Sequence, residues 1–162
     1  MKNRQSVSDK TFLRDIKTTE VSPIKNDTDM AMGVRHAFDN GCDELIIFGG
    51  TGGERMAHTF ANIQLLHHYA KEGKKITMVS EQNRMFALHE SAIEFPKKEH
   101  GLVSVFSLTD FAEGVKIKGL FYEFEGVLTN DLALGVSNEF CGRPASISVE
   151  KGTLLIIYVR EK

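Results

Sequence analysis

Residues 49–62, GGTGGERMAHTFAN, set four glycines directly before an arginine, a histidine and an asparagine. Backbone without Cβ lets main-chain N–H groups close on phosphate oxygens, which makes Gly50, Thr51, Gly52 and Gly53 candidate nucleotide-binding positions. The same residues would also serve a tight strand-to-helix turn. The run meets neither the Walker pattern nor a complete G-x-G-x-x-G, because Arg55 stands where the last glycine would be. Arg55, His58 and Asn62 are spaced i, i+3 and i+7, one stripe of the helix that the loop opens, with Met56, Phe60 and Ile63 expected to face the core. Arginine offers a charged fork for phosphate and histidine a donor or proton carrier, so the stripe is either an anion site or a solvated helix face.

Two further groups could carry chemistry. Asp27 and Asp29 in KNDTD could hold Mg²⁺ beside a polyphosphate, through a few oxygens and several waters, or could simply mark a helix N-terminus. Of the pair, Asp29 is the better metal candidate and Asp27 the better cap. In LGVSNEF, Ser137 and Asn138 offer a hydroxyl and an amide able to read a heterocycle edge, or else form a polar hairpin. His67 and His68 read as surface and core filler, Lys97, Lys98 and Glu99 as a solvated charge run, and Phe106, Phe121 and Phe124 as core.

The elements that must position these residues change character midway. A helix capped by Ser8, a strand at TEVSPI with Pro23 at its edge or end, and a helix at DTDMAMGVRHAFDNG stopped by Gly41 come first. ELIIF follows as an apolar run suited to burial on both faces of a parallel sheet. Beyond the glycine loop come a long helix ending at Gly73 and a strand at KKITMVS. This is β-α-β-α-β, and in such sheets ligands bind beyond the carboxyl ends of the strands, where KNDTD and GGTGG both fall. From about Asn83 the helical period disappears. RMFALH, LVSVFSL, GVKIKG, LFYEFEG, ASISVE and TLLIIYV alternate with hairpin-like turns, the pattern of an antiparallel sandwich or barrel. The expected architecture is a parallel α/β, Rossmann-like domain over 1–82 and a β-sandwich over 83–162, abutting near Ser80 to Arg84. Three parallel strands behind a leading helix make a small sheet, as if the chain began inside a fold.

Composition narrows the partners. The 162 residues are 41% hydrophobic and 26% charged, ordinary for a globular chain, and a net charge of -2 gives no basic footprint for nucleic acid or anionic membrane. Cys42 and Cys141 match no zinc or redox spacing, no apolar run approaches a membrane span, and Met1 to Lys17 lacks the core of a signal peptide. The expected location is cytoplasmic.

With these residues in view, the chain resembles the thiamine pyrophosphokinase family over nearly its whole length. NDTDMAM resembles the family's D-D-T-D-x-x segment, GGTGGERMAHTFANIQLL its G-x-x-G-G-R-x-D-H-x-x-A-N helix entry, and LGVSNEF with VEKGTLLII its C-terminal S-N and G-x-L-L-x-I signature. The resemblance implies an α/β domain joined to a β-sandwich, a homodimer, and transfer of a pyrophosphoryl group from ATP to the thiamine hydroxyl with Mg²⁺, giving thiamine diphosphate and AMP. It also implies that Asp29 and Asp27 serve the metal, Arg55 and His58 the phosphates, and Ser137 and Asn138 thiamine. Two departures stand against it. Ala57 occupies the position of the family's aspartate, and only MKNRQS stands where the first strand and a G-D-F-D-S segment are expected. A shortened enzyme is therefore expected, with a non-catalytic thiamine-binding homologue or an inactive fragment as the alternatives.

Overall fold

A computed structural model describes residues 27–52 and 56–159. The expected Ser8 helix and TEVSPI strand, with Gly53 and Arg55, lie outside the described residues.

Helix α1 (Asp29–Asp39) starts at Thr28, whose Oγ1 accepts from the Ala31 N–H at 3.1 Å, so Thr28 and not Asp27 is the cap. It ends before Gly41, whose φ of 87° turns the chain into β1 (Glu44–Phe48). The glycine loop leads to α2 (Met56–Lys71), and β2 (Lys75–Val79) returns parallel to β1. Eight further strands follow: β3 (Asn83–His89), β4 (Ala92–Lys98), β5 (Leu102–Ser107), β6 (Phe111–Lys118), β7 (Phe124–Thr129), β8 (Gly135–Glu139), β9 (Arg143–Ser148) and β10 (Thr153–Val159).

The strands form two sheets, a six-stranded one in the order β1-β2-β3-β10-β5-β8 and a four-stranded one in the order β4-β9-β6-β7. Among the described residues β1 and β2 are the parallel pair, and the other pairings are antiparallel. The six-stranded sheet runs across residue 82, because β2 and β3 pair directly from Thr77↔Phe86 to Val79↔Arg84. The last strand, β10, lies between β3 and β5, so the C-terminal run TLLIIYV completes the sheet that ELIIF begins.

Each face of the large sheet has its own core. On one, Leu88, Val103, Val105, Leu154 and Ile156 pack against Phe95, Ala112, Val115, Ile117, Leu128 and Ile147 of the small sheet. On the other, Met78, Met85 and Leu155 meet Val34 of α1 and Leu66 and Tyr69 of α2.

Two sequence expectations are corrected. ELIIF is not buried on both faces: Leu45 and Ile47 pack toward the helices, while Ile46 is 61% and Phe48 74% exposed. The small sheet covers β3, β10 and β5, and its core does not extend to β1 at the edge. On α2, Met56 and Phe60 point outward at 77% and 62% exposed, and Asn62, Leu66 and Tyr69 form the inward stripe. At about 100° per residue, positions 56 and 60 lie about 120° and 160° around the helix from Asn62, so a stripe centred on 62 and 66 turns them to solvent. Ile63 keeps its expected place against the helical core.

Candidate functional site

The glycine loop is built by its neighbours. Gly49 leaves β1 with φ 74° and donates its N–H to the Val79 carbonyl at 3.3 Å, which ties the loop to the carboxyl end of β2. Gly50 is buried, and a Cβ there would come within 3.1 Å of the Met78 sulfur and 3.3 Å of Ile47, so any side chain would press on both neighbours. Gly52 sits at φ 84°, a left-handed conformation that a side chain would strain. Two side chains of α2 reach back: Asn62 Nδ2 donates to the Gly50 carbonyl at 2.6 Å, and Thr59 Oγ1 accepts from the Gly52 N–H at 3.1 Å.

Beside the loop opens a cleft of about 820 Å³ at the carboxyl ends of β1 and β2. Gly49, Thr51 and Gly52 line one side, and the turn from Ser80 to Asn83 lines the other. That turn closes on itself: Ser80 N–H donates to the Asn83 carbonyl at 2.8 Å and Asn83 N–H to Ser80 Oγ at 2.9 Å, leaving Glu81 and Gln82 at the tip. Sequence reasoning treated these residues only as a boundary. The signal was available, because the loop after a second parallel strand must share the rim of the first.

The predicted site residues separate into groups. Gly50, Thr51, Gly52 and Asn62 come together, although Asn62 is 8% exposed and its amide serves the loop carbonyl. His58 is exposed in the first turn of α2. Asp27 accepts from the Thr28 N–H at 3.0 Å through Oδ1, and its Oδ2 pairs with Arg35, whose pKa is raised by that hydrogen bond and charge. Asp29 opens α1. Among the described residues no group of three or more His, Cys, Asp or Glu side chains converges, and both Asp27 oxygens are engaged. The described residues alone therefore do not build a Mg²⁺ site.

Ser137 and Asn138 sit on β8, at the opposite edge of the large sheet from β1. Five strand spacings, about 24 Å, separate the two edges. Ser137 is exposed with φ 56°, and its N–H donates to Ser104 Oγ at 3.0 Å. Asn138 is buried and ties down the preceding loop: Oδ1 accepts from the Tyr122 and Glu139 N–H groups at 2.9 Å each, and Nδ2 donates to the Tyr122 carbonyl at 2.7 Å. Around it Phe121, Tyr122, Leu132, Leu134 and Val136 are exposed, an apolar surface that the sequence reading had assigned in part to the core. In the same loop Glu123 accepts from the Gly119 N–H at 3.0 Å, and this bond, then Lys118 and Arg143, lowers its pKa.

Comparison with known proteins agrees with the motifs. A family model described as thiamin pyrophosphokinase, catalytic domain, matches residues 3–78. Over 136 residues the chain is 30% identical to the thiamine pyrophosphokinase of Bacillus subtilis (strain 168), covering 82% of this chain and 63% of that one. The chain thus spans less than two thirds of the length of this curated relative. The fold is similar to the crystal structure of thiamine pyrophosphokinase from Bacillus subtilis, with a TM-score of 0.77 and 27% identity over 85% of this chain and 65% of that one. It is also similar in fold to a thiamin pyrophosphokinase family protein from Enterococcus faecalis, with a TM-score of 0.79 at 23% identity, covering 98% and 76% of the two chains. Motifs, relatives and fold all indicate the thiamine pyrophosphokinase family.

Proposed function

We propose that the chain acts as a thiamine pyrophosphokinase. The thiamine hydroxyl oxygen attacks the β-phosphorus of ATP, the bond from that phosphorus to the oxygen bridging it to the α-phosphorus breaks, and AMP leaves as the hydroxyl proton is lost. Such a reaction asks mainly for in-line positioning and for donors facing the developing charge. The observation that carries the reading is the glycine loop, held by β2 and α2 on the rim of an 820 Å³ cleft. In this reading residues 1–82 form the Rossmann-like, nucleotide-binding part and residues 83–162 the thiamine-binding sandwich. The loop of Gly50, Thr51, Gly52 and Gly53 is assigned to the phosphates, together with Arg55 and His58. Mg²⁺ arrives on the phosphates of ATP with Asp29 as its candidate carboxylate, and no step is assigned to a metal held by the described residues.

The two-edge geometry supports a homodimer. Ser137 and Asn138 stand about 24 Å from the β1 edge by strand spacing, too far to share one small substrate with the glycine loop of their own chain. We infer that thiamine bridges two copies, with the apolar surface at Leu134 and Val136 in the contact. A cytoplasmic location fits this reading, and among the described residues no helix is long and apolar enough to cross a membrane.

The test is formation of thiamine diphosphate and AMP by the purified chain given thiamine, ATP and Mg²⁺, with Arg55→Ala as the control against contaminating enzyme. Turnover that vanishes in the control supports the kinase. Thiamine binding without turnover favours a second reading, a binding-only homologue, for which Ala57 in place of the family's aspartate is the specific observation.

A further inference from the structure

We propose that Asn62 and Thr59 are positioning residues that set the shape of the glycine loop, and that the donor they aim at phosphate is the main-chain N–H of Thr51. The proposal deepens the pyrophosphokinase reading and rests on it. The Gly50 carbonyl, an acceptor, would repel a phosphate if it faced the cleft. It is turned away and held at 2.6 Å by Nδ2 of Asn62, a side chain 8% exposed on the inward stripe of α2. The carbonyl of Gly50 and the N–H of Thr51 belong to one trans peptide and point in opposite directions. Pinning the carbonyl toward the helix therefore turns the Thr51 N–H the other way, and Thr51 lines the cleft.

Of the other loop donors, Gly49 N–H is spent on Val79 at 3.3 Å and Gly52 N–H on Thr59 Oγ1 at 3.1 Å. The Gly50 and Thr51 N–H groups have no partner among the described residues, and of these two residues Thr51 lines the cleft while Gly50 is buried. Thr59 and Asn62 lie on one side of α2, so a single rigid helix holds both ends of the turn. Donors fixed before the ligand arrives cost no reorganisation when charge develops, which is the physical value of the clamp. Asn62 thus acts on the nucleotide through the loop, without touching it.

Amide resonances of the ¹⁵N-labelled chain, titrated with inorganic pyrophosphate and with ATP, test the clamp directly, alongside steady-state kinetics. In the unsubstituted chain the Thr51 amide shifts on titration and the Gly52 amide exchanges slowly with solvent. Asn62→Asp keeps the side-chain volume but sets a carboxylate oxygen against the Gly50 carbonyl. It abolishes the Thr51 response and raises the KM for ATP by roughly tenfold or more, the size of one charge-assisted hydrogen bond, while the KM for thiamine holds. Thr59→Val frees the Gly52 amide to exchange, and Thr59→Ser restores its protection, a rescue that a merely structural role would not predict. A Thr51 response unchanged in Asn62→Asp, or Gly52 protection unchanged in Thr59→Val, overturns the clamp. Loop amides silent to both ligands in the unsubstituted chain overturn the pyrophosphokinase reading itself, an outcome distinct from either failure of the variants.

Discussion

Where the two sheets face each other Val103, Leu154, Ile156 and Ile147 are fully buried, while at the other end of the large sheet Ile46 and Phe48 of β1 stand mostly in solvent. Both regions are equally apolar in sequence, so hydrophobicity did not decide the difference. The number of layers did. Strands β3 and β10 have α2 on one face and the small sheet on the other, whereas β1 packs only its Leu45 and Ile47 face. Stability is concentrated where both faces are covered, and the cleft opens at the end of the sheet where they are not. A rim beside a less covered strand leaves main-chain groups accessible, as a phosphate site requires.

That contrast predicts a steep gradient in mutational cost. Ile147→Ala empties space in the core between the two sheets and is expected to cost about 3–4 kcal/mol in urea unfolding. A loss below about 1 kcal/mol would mean that the two sheets close over the gap and that this core is not the rigid part. The next effect is polar. Asn138→Ala removes the two hydrogen bonds that fasten Tyr122 to β8, with a third from the Glu139 N–H, and is expected to cost about 1–3 kcal/mol. On the proposed reading it also weakens thiamine binding, because the loop beside Ser137 loses its anchor. Calorimetric titration of thiamine into this variant separates the two consequences. At β1, Phe48→Ser is expected to change stability by no more than about 0.5 kcal/mol. A loss above about 1.5 kcal/mol would show that this face is covered in solution and would erase the contrast.

The same division governs how far the sequence could be read. Elements with a strong local signal appeared where expected: α1 with its Gly41 stop, α2 ending near Gly73, and the apolar runs that became β3, β5 and β10. Strand β4 escaped notice because Pro96, Lys97 and Lys98 give it the composition of a charged loop, which is what an edge strand tolerates. The place of β10 between β3 and β5 had no local signature at all, since strand order is fixed by long-range packing. In the site, glycine spacing revealed the loop but not the roles of its supports. Asn62 looked like part of a polar stripe, and only the rotation of α2 turns it inward to the Gly50 carbonyl. The Ser80–Asn83 turn has no glycine to mark it and is legible only from topology, because the loop after a second parallel strand shares the rim of the first.

The smallest expected effect tests the helix that joins the two regions. His67 lies on α2, and its Nε2 is buried without a hydrogen-bond partner among the described residues. Burial lowers its pKa first, and the nearby charges of Lys71, His89 and His68 lower it further. The folded value thus lies below the ordinary 6.5, so the unfolded chain takes up the proton first as pH falls. The stability that comes from keeping His67 neutral is complete above pH 6.5 and is lost as pH drops from there through the lower folded value. His67→Leu removes both the titration and the unpaired nitrogen. Thermal melts at pH 7.5, 6.5 and 5.5 should show the unsubstituted chain losing more of its melting temperature on acidification than His67→Leu. Parallel losses in the two chains would mean that Nε2 finds water and that α2 sits less tightly on β3 than its packing indicates. In that case the clamp residues Thr59 and Asn62, on the same helix, would owe their positions to the loop rather than the loop to them.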